Sequence, residues 1–134
     1  MPGIDESLLD AMRLPGARGA SVVDWISGLA LGAVGEAPGG DGEVAAAETA
    51  ELARLAAESG AFRRATAGDA AEPGKEPPVQ DVIITTPDDY HVIRFVVTPF
   101  DSSVALHLWL GRAEGNLALA RIRLAELAQR LVLG

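Results

Sequence analysis

The sequence predicts an α+β domain in α/β/α layers: a five-stranded antiparallel sheet flanked by three helices, in the order helix, strand, strand, helix, strand, strand, strand, helix. Two observations carry this. Three β-branched and aromatic runs follow one another as VQDVIITT (79–86), YHVIRFVV (90–97) and SVALHLWL (103–110), parted only by short turn segments, which is the pattern of a meander. Around them, three segments place apolar residues at helical spacing.

The first helix is IDESLLDAMRL (4–14). Ile4, Leu8, Leu9 and Met12 recur on one side, acids stand early and Arg13 late to suit the helix dipole, and Pro15 and Gly16 end it. The glycine-rich stretch GARGASVVDWISGLALGAVG (16–35) then offers a phosphate cradle or a hairpin. A cradle needs glycines followed by Lys and Ser or Thr, whereas Gly28, Gly32 and Gly35 run into Glu36, and Gly74-Lys75 precedes Glu76 and two prolines. GASVVD (19–24) and LALGAV (29–34) therefore read as paired strands around the turn WISG, with Gly32 and Gly35 easing curvature or close approach.

Asp41 is placed to cap the second helix (42–59), whose first turn also carries Glu43. Ala45, Ala46, Thr49, Ala50, Ala53, Ala56 and Ala57 fall on one broad side, and Val44, Leu52 and Leu55 on the other among Glu48, Glu51 and Glu58. The small-residue side fits against a sheet or against a copy of itself, and the helix propensity of alanine accounts for it equally well. TAGDAAEPGKEPP (66–78) has no apolar period and reads as a mobile loop. After the meander, Asn116 caps LALARIRLAELAQRLVL, where Leu117, Ala120, Leu124, Leu127 and Leu131 form the apolar stripe and Arg121, Arg123 and Arg130 face water.

A chain of 134 residues fits one domain spanning 1–134. With 49% apolar but only 4% aromatic residues, its core is built from Ala, Val, Leu and Ile, and without cysteine it holds no disulfide. Neither a secretion signal nor a bilayer-length apolar run is visible, so a soluble, cytoplasmic protein is expected. The formal charge of −8 is uneven: residues 1–60 hold ten acids and three bases, residues 61–134 nine acids and eight bases. An acidic surface repels nucleic acid and anionic lipid, so neither is expected as a partner. Arginine outnumbers lysine ten to one, which together with abundant Ala and Gly suggests a GC-rich bacterial genome.

Residues of catalytic type are few. His91 and His107 are the only histidines and there is no Cys, so no metal set and no cofactor are expected. His107, between two leucines in a strand, reads as a half-buried histidine bonded to backbone, and His91 as a strand-start residue beside the acidic Asp88-Asp89 turn. Ser27, Ser102 and Ser103 lie outside any GxSxG elbow. Trp25 is a candidate partner anchor and Trp109 a core filler.

LPGARGASVVDWISGLALG, the acidic Ala-rich second helix, DVIITTPDDYHVIRFV and LHLWLGRAEGNLALARIRLAELAQRLV together cover nearly the whole chain. In this order they resemble the Roadblock, dynein-light-chain-type family, and within it the bacterial MglB-like branch. The resemblance implies a non-enzymatic homodimer in which the second helices pack together and the third strands pair edge to edge. Ala46, Thr49, Ala50, Ala53, Ala57, Val82, Ile83, Ile84 and Thr85 become dimer-interface candidates. It further implies binding to a Ras-like small GTPase, with sensor-kinase-like proteins as further partners in actinobacteria. Glu48, Glu51, Leu52, Leu55 and Trp25 are the partner-surface candidates, and Arg18, Arg63, Arg64 and Arg112 the available cations. Two other readings compete: a ligand-sensing module, which requires a pocket beneath the sheet, and a hydrolase, which requires a histidine and a serine or Asp88 within reach of each other.

Overall fold

A computed structural model describes residues 3–62, 78–97 and 103–133. The elements are α1 (Ile4–Ala11), β1 (Ala17–Asp24), β2 (Leu29–Gly35), α2 (Gly42–Glu58), β3 (Asp81–Thr85), β4 (Asp89–Val96), β5 (Val104–Gly111) and α3 (Leu117–Leu133), with short 3-10 turns at Pro38–Gly40 and Gly60–Phe62. The order is the one the sequence predicts. The loop expected at 66–78 lies, but for Pro78, outside the described residues, as do Arg63, Arg64 and Ser102.

All five strands form one antiparallel sheet in the order β2-β1-β5-β4-β3. Alternation divides the side chains between two faces. Ala20, Val22, Val92, Val96, Leu106, Leu108 and Leu110 meet Leu8, Ala11 and Leu14 from the α1 region and Ala120, Leu124, Leu127 and Ala128 of α3. On the opposite face Val23, Ile93, Phe95 and Ala105 pack under Ala46, Ala50 and Ala53 of α2. Leu9, expected on the apolar side of α1, is 56% exposed, because burial centres on Leu8 and Ala11.

Local chemistry fixes the ends. Gly28 adopts φ +80° in the β1–β2 turn, where the Asp24 carboxylate accepts from the amides of Ile26 (2.9 Å) and Ser27 (3.2 Å). That is the hairpin. Asp41 accepts from Glu43 N–H (3.0 Å) and Val44 N–H (3.3 Å) to start α2, and Asn116 accepts from Leu119 N–H (3.0 Å) to start α3. Asp41→Ala is expected to lower unfolding free energy by about 1 kcal/mol in urea titration with an unchanged slope.

Candidate interaction surfaces

The backbone hydrogen bonds show which strand groups remain open. Phe95 N–H donates to Gln80 O (3.1 Å) and Thr86 N–H to Asp89 O (2.9 Å), so Gln80, Val82, Ile84 and Thr86 turn their backbone groups toward β4. By alternation Asp81, Ile83 and Thr85 turn theirs away from the sheet, where none of the described residues pairs with β3. The side chains alternate with the same period: Val82 packs against the cluster of Ala53, Ile93, Phe95 and Ala105 on the α2 side, while Ile83 packs against the core on the α1 and α3 side. Asp81 is held at this edge by Arg121 of α3, Nε to Oδ2 at 2.9 Å, a bond that raises the Arg121 pKa.

The outward side of α2 is a second open surface. Val44 (52%), Leu52 (44%) and Leu55 (68%) are exposed, with Glu48 and Glu51 exposed among them. The small-residue side is turned the other way. Ala46, Thr49, Ala50 and Ala53 are buried against the protomer's own sheet, which corrects their assignment to a dimer interface: they already serve as the close-approach face that lets α2 lie on β1, β2 and β4. Ala57 is half-buried in the same cluster. Trp25, a partner-surface candidate, is half-buried, its ring edge-on against Phe95 with centroids 6.2 Å apart.

Toward the other end of the α2 face, His91 and Trp109 are cross-strand neighbours, as are Ile93 and His107. His91 Nδ1 lies 3.0 Å from His107 Nε2, so one ring donates to the other, and the His91 ring is parallel to that of Trp109. Arg18 lies 3.9 Å above the Trp109 ring and bridges Glu36 (3.1 Å) and Asp89 (3.4 Å). His107 is 6% exposed, and burial, followed by the charge of His91, lowers its pKa to about 4. Burial lowers that of His91 too, against the opposing pull of Asp89. The expected backbone partner of His107 is therefore replaced by a second imidazole, and His91 is a half-buried mid-strand residue rather than a strand start.

Among the described residues, the remaining candidate cation and the candidate serines have structural partners. Arg112 donates to Thr86 O (3.0 Å), and the Ser27 hydroxyl accepts from Leu29 N–H in the turn. Ser103 precedes β5, where its carbonyl accepts from Trp25 N–H. A surface groove of about 300 Å³ is lined by Glu6, Leu9, Asp10, Arg13 and Arg130 of the α1 and α3 regions, not by the sheet face that a ligand-sensing reading requires. Among the described residues no group of three or more His, Asp or Glu side chains converges on a cation site, and no helix is long and apolar enough to cross a membrane.

A sheet in this order, with two helices on one face and one on the other, can be set beside solved structures. MglB of Myxococcus xanthus superposes with TM-score 0.74 at 17% identity, covering 96% of this chain and 84% of that one. This chain has the Roadblock/LC7 fold. A Roadblock/LC7 domain from Streptomyces avermitilis matches with TM-score 0.70 at 18% identity over 97% and 95% of the two chains. An MglB structure described as having a tetrameric arrangement matches with TM-score 0.68 at 16% identity over 98% and 90%. No protein-family model and no curated protein matches the sequence. Within the Roadblock/LC7 fold, two surfaces are left open: the β3 edge of the sheet, and the outward side of α2, a helix that crosses β2, β1 and β4.

Proposed function

We propose that this protein is a homodimeric, non-enzymatic adaptor that binds a Ras-like small GTPase and scaffolds or modulates its nucleotide cycle. The observation that supports it is the conjunction of the open β3 edge with the apolar Val44, Leu52 and Leu55 on the outward side of α2, in a fold shared with MglB. Two copies related by a two-fold axis at Ile83 would exchange backbone hydrogen bonds at Asp81, Ile83 and Thr85 while their α2 helices meet through those leucines. Each copy covers what the other leaves open. Any nucleotide belongs to the partner, and regulation acts through unequal affinity for its two states.

Sedimentation is the first test. The wild type is expected to be a dimer, and Leu55→Glu combined with Thr85→Pro, both at exposed positions, is expected to raise the dimer dissociation constant at least about 100-fold with the circular dichroism spectrum retained. A wild type that is monomeric at tens of micromolar overturns the dimer. For the partner, a small GTPase encoded beside this protein is loaded with GDP or a GTP analogue and captured on the immobilised dimer. Capture in one nucleotide state supports the reading, and capture in neither state overturns it.

A further inference from the structure

We propose that the opposite margin of the sheet, strand β2, is a docking edge for an extended peptide segment of a partner protein, with alternating apolar residues flanked by Lys or Arg. Its backbone groups are open by the same logic as those of β3. Glu36 N–H donates to Arg18 O (2.9 Å), which sets Gly32, Val34 and Glu36 toward β1 and leaves Ala33 pointing away from the sheet, between the bulge at Leu31 and Gly35 with its φ of +81°. Self-pairing at β3 leaves β2 untouched, because the two strands occupy opposite ends of the strand order.

Two properties select the occupant. Edge strands are commonly protected by a charge, a proline or a bulge; LALGAVG (29–35) has a bulge at Leu31 but no charge or proline, and Leu29 (65%) and Leu31 (48%) are exposed along it, with Ile26 (69%) in the adjoining turn. An added strand would cover this surface, with ladder hydrogen bonds supplying affinity and alternate side chains supplying selectivity. Charge then gives the sign of its flanks. Residues 19–53 contain Asp24, Glu36, Asp41, Glu43, Glu48 and Glu51 but no Lys or Arg. Asp24 stands opposite Leu29 at one end of the strand, Glu36 follows the other end, and the Asp5 carboxylate of α1 comes within 3.7 Å of where a side chain on Gly32 would begin. Only Arg18 answers this frame, at Glu36. A basic peptide finds complementary charge at both ends, whereas a second copy of β2 would bring a second set of acids against the first.

The test uses a fluorescein-labelled peptide, acetyl-Lys-Val-Thr-Val-Thr-Val-Arg-amide, titrated with the full-length protein and followed by anisotropy. Binding is expected to weaken several-fold between 50 and 500 mM salt and to be lost when alternate peptide nitrogens are methylated on the pairing edge. Ala33→Pro removes an outward N–H from an exposed residue and is expected to weaken binding at least 10-fold. Leu31→Lys leaves the backbone intact, opposes the peptide's charge and is expected to act in the same direction. Gln129→Ala, at an exposed position of α3, is expected to leave peptide affinity unaltered. The proposal is overturned by absence of binding at millimolar peptide, by full affinity in both β2 variants, or by equal loss of affinity in Gln129→Ala. It is also overturned if the peptide fails to bind while Ala33→Pro reduces the protein's own mass in solution, which would make β2 a contact between copies. These outcomes do not depend on the GTPase reading.

Discussion

Acidification from pH 7 to pH 4 is expected to weaken the fold by on the order of 3 kcal/mol through His107 alone. The pKa of this ring falls from 6.5 to about 4 on folding, chiefly because burial disfavours its charged form. The unfolded chain therefore binds a proton near pH 6.5 that the native chain refuses until about pH 4. Stability from this group is complete above pH 6.5, declines as pH falls through that window, and loses nothing further below it. His91 shifts in the same direction, and its proximity couples the two titrations. His107→Leu removes the group, so the difference in unfolding free energy between wild type and variant, measured by urea titration at intervals from pH 7.5 to 4, should shrink steadily across the window. A difference that is flat with pH would contradict a neutral buried imidazole.

Gly19→Ala is expected to cost more than about 3 kcal/mol and roughly 10 °C in melting temperature. A methyl group at this position would fall on the Glu36 carbonyl oxygen, with the Glu36 carbon at 3.1 Å and its nitrogen at 3.3 Å, so the obstruction is backbone rather than a side chain able to swing aside. Relief requires β2 to move from β1, breaking the Glu36 N–H to Arg18 O bond and the register around Gly19 and Gly35. Gly42→Ala is the matched control. It opens α2 with nothing within 4 Å, so the same substitution there is expected to be neutral or stabilising by up to about 1 kcal/mol. Calorimetry on the pair separates steric obstruction from a general effect of replacing glycine, and equal melting temperatures would refute it.

Much of the fold is legible locally because its signals are local. Asp41 and Asn116 announce helix starts by side-chain chemistry that acts within three residues, Gly28 marks a turn by its backbone freedom, and the apolar runs of β4 and β5 carry strand propensity without help from neighbours. The site is less legible because it depends on pairing. Nothing near Ala46, Thr49, Ala50 or Ala53 in sequence says whether this side of α2 meets its own sheet or another copy; that choice belongs to residues some fifty positions away, such as Ile93 and Ala105. His91 and His107 meet only once β4 and β5 are in register, so neither residue announces the other. The β2 edge could have been found, since a strand without charge or proline inside a 35-residue acidic stretch is visible in the letters. The backbone direction of Ala33 could not, as it follows from the hydrogen bond at Arg18 and the pairing with β1.

The strand order also sets a distance. If two protomers join at β3 into one ten-stranded sheet, their β2 strands terminate it at both ends, nine inter-strand spacings or roughly 43 Å apart. The dimer is then a molecular ruler with identical grips at its tips. A binding partner carrying two suitable segments would gain avidity only if its tether reaches around that span, so tether length rather than segment sequence would sort bivalent clients from monovalent ones.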